Sequence, residues 1–216
     1  MKPDAPTAPP RPARSVALES FALLLLSLAT VGTAWCSYQA TVWGGIAQRL
    51  TNLSAAASRR AAAAQLQNSQ MAMLDVMLFS QYINARATTN EPLARFYADR
   101  FRGEAKTAFQ AWMATQPFEN PTAITHPFAT NFYQPRLLQE ANAAEVESQQ
   151  LWQQGGEAGR VSRGYVLITV LLATALFCGG TAPKFDVAKV RRAVLWLGLA
   201  AFVFAMTRLF SLPAQL

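Results

Sequence analysis

The chain has 216 residues, of which 52% are hydrophobic and only 14% are charged. Soluble domains carry about 25% charged residues, so this composition argues against a protein that is soluble throughout. The net charge of +7 comes without a dense Lys/Arg stripe or a nucleic-acid motif, and nucleic acid is therefore not an expected partner.

The N-terminal region predicts a short tail followed by a membrane anchor. Residues 1–16 are rich in proline and predict a disordered cytoplasmic tail, and residues 17–40 predict the first transmembrane helix. About 20 helical residues cross the hydrocarbon of a bilayer, and this segment is long enough. Trp35, Tyr38 and Trp43 mark its far end, where aromatic rings with a polar group favour the membrane interface.

The same segment has some features of a cleaved signal peptide. It follows a basic start, and Gly32 and Ala34 are small residues at the spacing of a cleavage site. Its apolar stretch is longer than a typical signal core, and an aromatic belt follows it. We therefore expect a retained anchor, with cleavage as the alternative.

Residues 41–163 predict a helical domain outside the cytoplasm. An alanine- and glutamine-rich helix is expected over residues 46–88, a second up to about residue 115, and a third over residues 136–154. Four glycines between residues 155 and 164 then predict a hinge or a close helix crossing ahead of the second span. The apolar stripe of the first helix has a spacing of three or four residues and consists of Met71, Leu74, Leu78, Tyr82 and Ala85, widened by Met73 and Met77.

The connection over residues 116–135 differs from the helices around it. Four prolines rule out a regular helix, and aromatic residues lie between them. A loop of about twenty residues in a compact domain is unusual and is often functional. It therefore provides the candidate interaction surface, which consists of Phe118, His126, Phe128, Phe132 and Tyr133. The alternative is a rigid strap whose aromatic rings cover the helices beneath it.

Two further apolar segments predict transmembrane helices at residues 164–182 and 193–212. A basic loop at residues 183–192 joins them, and residues 213–216 form a short tail. Because Lys and Arg are retained on the cytoplasmic side, the N-terminus and the basic loop are expected inside, and residues 41–163 and the C-terminal tail outside. The residues expected to determine this topology are Arg11, Arg14, Lys184, Lys189, Arg191 and Arg192.

The sequence contains no recognisable catalytic motif. His126 is the one histidine, and it has no neighbouring cysteine or paired carboxylate for a metal site or a general base. Hydrolase, phosphate-binding, dinucleotide-binding and zinc-helix motifs are not present. We therefore expect no catalytic residue, no metal site and no cofactor, and a protein that is not an enzyme.

A resemblance to other proteins rests on three segments: FYADRFRGEAKTAFQAWMATQPFENP at residues 96–121, PFATNFYQP at residues 127–135 and GYVLITVLLATALFCGG at residues 164–180. Over residues 35–212 the chain resembles a group of uncharacterised bacterial inner-membrane proteins. Members of that group have an N-terminal anchor, a helical outer domain and paired C-terminal transmembrane helices. The resemblance implies a bacterial inner membrane and no particular activity.

These features predict an all-α integral membrane protein with three transmembrane helices and an extracytoplasmic antiparallel helical bundle. The expected partners are the lipid bilayer and either another protein or further copies of the chain. The expected function is that of a non-enzymatic scaffold or accessory subunit whose outer domain mediates protein–protein interaction or self-assembly. Two alternatives stay open: an extracytoplasmic sensor that relays to a separate cytoplasmic partner, and an oligomeric pore or transporter component.

Overall fold

The fold is given by a computed structural model, which describes residues 16–129 and 132–215. Within those ranges the chain is all-helical, with 82% helix and no β-strand, which confirms the all-α part of the predicted fold class. Three of the helices, α1, α4 and α5, are long and apolar enough to cross a membrane, as the sequence predicts. The elements in chain order are α1 (Val16–Ala87), α2 (Glu91–Ala98), α3 (Gly103–Ala114), α4 (Arg136–Thr181), a 3-10 turn (Ala182–Lys184) and α5 (Ala188–Leu209).

The two long helices run without interruption through their glycines. α1 continues through Gly44 and Gly45, and α4 continues through all four glycines between residues 155 and 164. A glycine in a helix interior lowers stability by up to about 1 kcal/mol relative to alanine. Tertiary packing outweighs this cost. At Gly164 the packing is close, because an added Cβ would lie 3.0 Å from Cδ1 of Leu212. Of the two alternatives predicted for these glycines, a hinge or a close helix crossing, the structure shows a close approach at Gly164.

The described chain divides into two compact units. The first contains residues 16–49 and 154–215, and the second contains residues 50–153. The first unit combines the apolar parts of α1 and α4 with α5. Both cysteines of the chain lie in it, buried and free. Its core consists of the buried residues Ala29, Cys36, Tyr165, Ile168, Leu172 and Ala205.

Three side chains of the first unit bind the segment that follows α5. The Gln39 side chain is fully buried, and its Nε2 donates to the Gln215 carbonyl at 2.6 Å while its Oε1 accepts from the Gln215 N–H at 3.1 Å. The Trp43 indole N–H and the Tyr165 hydroxyl both donate to the Pro213 carbonyl, each at 3.1 Å. These bonds satisfy buried polar groups, and they hold a non-helical segment against α1 and α4.

The second unit is built around an aromatic core at the end of α1. Within it α1 and α4 run antiparallel: Ser54 and Ser148 exchange hydrogen bonds at 2.9 and 3.1 Å, and Arg60, one to two turns later on α1, pairs with Glu147 at 3.1 Å. The core joins α1 to α2 and α3. It consists of the buried residues Tyr82, Ala85, Ala94, Phe101, Ala105, Phe109 and Trp112.

The second predicted helix of this unit is divided into two. α2 ends at Ala98, and α3 begins at Gly103, which has a φ of +52°. Glycine adopts this left-handed conformation without steric cost, and it allows the chain to change direction. The break turns Phe101 into the core, where it is 1% exposed and stacks on Phe109 with 4.6 Å between the ring centroids. The expectation of one helix up to about residue 115 is therefore wrong.

Candidate functional site

The proline-rich connection packs on the core of the second unit through its aromatic residues. Phe128 lies edge-on to Phe79 of α1 at 5.6 Å between ring centroids, and edge-on to Tyr133 at 5.4 Å. The indole N–H of Trp112 in α3 donates to the Ile124 carbonyl at 2.6 Å, which fixes the middle of the connection. Edge-to-face pairs at such distances contribute about 0.5–1.5 kcal/mol each beyond the area that they bury. The described part of the connection thus packs over α1 and α3.

The five residues of the candidate interaction surface do not form one cluster. His126, Phe128 and Tyr133 are adjacent, because the exposed His126 ring stacks on Phe128 with 6.3 Å between centroids and Phe128 contacts Tyr133. Phe118 packs edge-on against the α3 tryptophan at 5.7 Å instead and is 51% exposed. Phe132 is half-buried in a turn. Of the three adjacent residues, only His126 is exposed.

Tyr133 binds a half-buried carboxylate on α1. Its hydroxyl donates to Oδ2 of Asp75 at 2.9 Å. Burial raises the pKa of Asp75 above its ordinary value, and the Tyr133 hydrogen bond and the charge of Arg102 oppose that rise. Burial also raises the pKa of Tyr133, and the adjacent carboxylate raises it further. Tyr133 therefore stays a neutral hydrogen-bond donor at neutral pH.

The basic residues expected to determine topology lie around the connection between α4 and α5. Lys184 ends the 3-10 turn, and Lys189, Arg191 and Arg192 lie at the start of α5. Three of the four are exposed, and Arg191 is half-buried. The remaining residues of this prediction, Arg11 and Arg14, lie outside the described residues, as does the predicted tail before Val16.

In the second unit α1 has an exposed, uncharged and largely apolar face, which we call the α1 seam. Leu66 is 62% exposed, Met73 is 77% exposed and Val76 is 51% exposed. The side of a surface helix that faces away from the core is normally polar or charged. Apolar residues at such spacing are the pattern through which helices associate in coiled coils. The seam alternates spacings of four and three residues and consists of Ala62, Leu66, Ser69, Met73, Val76 and Ser80.

The predicted apolar stripe of α1 is correct only near the end of the helix. Tyr82 and Ala85 are buried and Leu78 is half-buried, but Met71 and Leu74 are 45% and 48% exposed. The aromatic core lies against the last turns of α1, so these two side chains on earlier turns are outside it. The seam is not part of the predicted stripe, because alanine and serine separate its large residues. The signal that would have found it is the alternation of four and three residues.

Among residues 16–129 and 132–215, no group of three His, Cys, Asp or Glu side chains is suited to hold a metal ion. Comparison of the chain with protein-family models, with curated proteins and with solved structures finds no match. The second unit presents an exposed apolar face on α1 and an aromatic connection that packs on α1 and α3.

Proposed function

We propose that this chain is a membrane-anchored assembly protein whose second unit associates with a second copy of the chain through the α1 seam. The anchoring is supported by three helices that are long and apolar enough to cross a membrane. The observation that carries the proposal is the exposure of Leu66, Met73 and Val76 on one face of α1. Large apolar side chains that are exposed along one face of a helix are suited to an interaction with another protein.

The proposed orientation has the N-terminus in the cytoplasm and the second unit on the outer side of a bacterial inner membrane. It is supported by the positive residues at the α4–α5 connection, of which Lys184, Lys189 and Arg192 are exposed. Short loops rich in Lys and Arg are retained in the cytoplasm.

The seam is better suited to a protein partner than to a lipid surface. Helices that lie on membranes carry Lys and Arg on their polar face, where these residues meet anionic headgroups. Between Arg60 and Arg86, α1 has no Lys or Arg. Its one acidic residue in that stretch, Asp75, is half-buried beside Tyr133. A second helix with a matching apolar face would cover the seam without leaving a charge unpaired.

A second copy of the chain fits the seam because two identical uncharged faces meet without charge repulsion. Two copies inserted in one membrane with the same orientation present identical seams in register. From Ala62 to Ser80 the seam is about 27 Å long at 1.5 Å per residue, which is five turns of helix contact. Confinement to one membrane also raises the effective concentration of one copy for another.

Cross-linking at Met73 tests the proposal directly, because cysteines that meet at a two-fold helix contact form a disulfide. With Met73→Cys in the full chain, mild oxidation of membranes is expected to give a covalent dimer on a non-reducing gel. Asn142→Cys, an exposed position on α4, is the matched control and should remain monomeric. The native Cys36 and Cys178 are buried, and the unsubstituted chain controls for them.

A charge placed in the seam tests the same contact at equilibrium. Met73→Glu should reduce the mass of the protein in lipid nanodiscs from dimer to monomer without loss of helicity, because two buried carboxylates would repel each other. Gln81→Glu adds the same charge to an exposed position about 80° around the helix and should leave the dimer intact. A monomeric unsubstituted chain, or a dimer that persists in Met73→Glu, would overturn the proposal. A Met73→Cys product that contains a different protein would also overturn it.

A further inference from the structure

The connection between α4 and α5 has more positive charge than nearby carboxylates neutralise. Residues 184–192 include four basic residues and one acidic residue, Asp186. None of the four basic residues forms an ion pair with a carboxylate that the structure describes. This charge is therefore available to an anion from outside the chain. Elsewhere in the described chain four arginines do have a carboxylate partner, namely Arg60, Arg86, Arg136 and Arg160.

Three exposed apolar side chains lie among these charges, namely Phe185, Val187 and Val190. The connection joins two helices that are each long and apolar enough to cross a membrane, so it is expected at a bilayer surface. Lys and Arg beside a membrane-spanning helix attract anionic lipids, and apolar side chains enter the boundary between headgroups and acyl chains. The mixture of charged and apolar groups therefore fits a lipid better than a soluble anion.

Two of the basic residues begin a continuous face of α5, which we call the α5 face. Lys189 and Arg192 are exposed, and Trp196, one turn further, is 69% exposed. Val203 is 52% exposed and extends this face by two turns beyond Trp196, while Leu199 between them is half-buried. Spacings of three and four residues place all five on one side of the helix.

The length of the α5 face matches one leaflet of a bilayer. From Lys189 to Val203 it is about 21 Å long at 1.5 Å per residue. The hydrocarbon of one leaflet is about 15 Å thick, so a face that begins among the headgroups ends deep among the acyl chains. Trp196 lies between the two regions, where an indole favours the membrane interface.

The guanidinium of Arg192 is directed back to the level of Lys189. Its Nε donates to the Ala188 carbonyl at 3.3 Å, one turn earlier in α5. This bond uses Nε alone and leaves the two terminal nitrogens for a ligand. A guanidinium binds phosphate oxygens through parallel N–H donors, and the Lys189 ammonium adds a second positive charge at the same level.

We infer that the α5 face binds one anionic phospholipid, of which phosphatidylglycerol is an example, from the leaflet that meets the α4–α5 connection. The phosphodiester binds Arg192 and Lys189. The Trp196 indole N–H donates to an ester carbonyl of the glycerol backbone, and an acyl chain lies against Val203. A zwitterionic lipid also has a phosphate, but its cationic headgroup is repelled by the other basic residues of the connection. The α1 seam has no part in this inference.

Native mass spectrometry of the full chain in detergent resolves individual bound lipids. Phosphatidylglycerol and phosphatidylcholine with the same acyl chains are added in equal amounts. The first phosphatidylglycerol is expected to bind about tenfold more tightly than the first phosphatidylcholine, a difference equivalent to one charged hydrogen bond. Because the protein is in detergent, its orientation in a membrane does not affect the result.

Two double variants that lose the same charge locate the site. Lys189→Gln with Arg192→Gln should reduce the affinity for phosphatidylglycerol to that for phosphatidylcholine and leave the latter unchanged. Arg160→Gln with Arg163→Gln removes two charges from exposed positions of α4 in the same unit and should change neither affinity. Glutamine favours helix about as well as lysine and arginine do, so both variants should retain the native helicity.

Trp196→Leu tests the contact with the rest of the lipid. Both lipids have the ester carbonyls that the indole N–H reaches, so this variant should weaken both about fivefold and preserve their ratio. Glycerol 3-phosphate has a phosphate but no ester or acyl chain. It should therefore not displace phosphatidylglycerol from the native chain at millimolar concentration.

Four results would contradict the inference. Equal binding of the two lipids by the native chain would show that the α4–α5 connection does not select an anionic headgroup, and equal effects of the two double variants would place the lipid elsewhere. Native affinities in Trp196→Leu would remove the α5 face from the site. Displacement by glycerol 3-phosphate would assign the site to a soluble phosphate instead of a lipid.

Discussion

At the residue scale, Thr89 lies two residues beyond the end of α1, in a conformation that its side chain disfavours. Its φ is 58°, in the left-handed region that β-branched residues rarely adopt. This conformation lets the Asn90 N–H donate to the Ala85 carbonyl at 2.9 Å, and Oδ1 of Asn90 then accepts from the Leu93 N–H at 3.2 Å at the start of α2. One strained residue thus joins the end of one helix to the cap of the next.

Replacing Thr89 with glycine should relieve this strain. A left-handed L-residue costs about 1–2 kcal/mol, and part of the gain is offset by the greater freedom of glycine in the unfolded chain. Thr89→Gly is therefore expected to raise the free energy of unfolding by about 1 kcal/mol, measured by denaturant titration of the full chain. Thr88→Gly is the matched control and should lower it, because the Thr88 hydroxyl donates to the Asn84 carbonyl at 3.0 Å. A lower stability in Thr89→Gly would contradict this account.

Tyr133→Phe should destabilise the second unit in a pH-dependent way. The variant leaves the half-buried Asp75 carboxylate without its donor, which costs about 2 kcal/mol at neutral pH. Burial already raises the pKa of Asp75, and loss of the hydroxyl raises it further. The penalty applies to the ionised form, so it is present at neutral pH and declines as the pH falls through the pKa of Asp75.

Denaturant unfolding of the native chain and of Tyr133→Phe, repeated from neutral to acidic pH, measures how the difference in their free energies of unfolding depends on pH. Asp75→Asn provides the control background, in which the same Tyr133→Phe change should cost less because the acceptor is neutral. A penalty that is independent of pH, or equal in the two backgrounds, would show that Tyr133 acts through packing alone.

At the element scale, α5 packs on α4 at a point that has room only for glycine. A Cβ added to Gly198 would lie 2.8 Å from Cβ of Cys178 and 3.5 Å from the carbonyl oxygen of Ala175. Neither atom is the end of a flexible side chain, so a larger residue must push the helices apart. Small residues at helix contacts let two backbones approach closely in membrane proteins.

Gly198→Ala is therefore expected to lower the free energy of unfolding by about 1–3 kcal/mol, the usual cost of overpacking. Gly180→Ala on α4 is the matched control, because a Cβ there would meet nothing within 4 Å. That change should be neutral or stabilising by up to about 1 kcal/mol, since alanine favours helix more than glycine does. Thermal unfolding of the protein in detergent, followed by helicity, measures both, and equal effects would rule out the close contact at Gly198.

The same elements show what the sequence can and cannot predict. Length and apolar content are local properties, so the three membrane-length helices and the start of α4 at Arg136 follow from the sequence. The effect of a glycine on a helix depends on contacts that are distant in the sequence. Gly164 lies inside a continuous helix and packs against Leu212, whereas Gly103 has a positive φ and separates two helices. The aromatic connection is recognisable from its prolines, but which of its rings are buried depends on contacts such as Phe128 with Phe79.

At the scale of the whole molecule, the positive charges around the α4–α5 connection should hold the protein in one orientation. Replacing Lys184, Lys189, Arg191 and Arg192 with glutamine is expected to give mixed orientations, because only the positive residues before α1 then oppose export of the N-terminus. A cysteine introduced at Asn142 and labelled with a membrane-impermeant maleimide on intact cells measures this. Labelling should be strong in the otherwise native chain and should fall in the neutralised variant.

The control for this experiment removes positive charge from the second unit. Arg59 and Arg60 are exposed on α1, and replacing both with glutamine should leave the labelling unchanged. The orientation would be contradicted if the Asn142→Cys label were inaccessible in the otherwise native chain. It would also be contradicted if both sets of substitutions had the same effect.

The contact between Gln39 and Gln215 has a consequence for hydrogen–deuterium exchange. Backbone amides outside helices, near the end of a chain, ordinarily exchange within seconds because water reaches them freely. The Gln215 N–H is bound to Oε1 of a side chain that is completely buried, so it should exchange as slowly as amides inside α4 and α5. Gln39→Ala should release it to the rate of an unstructured peptide. The exchange rate of this single amide would then report local opening of the first unit without any attached label.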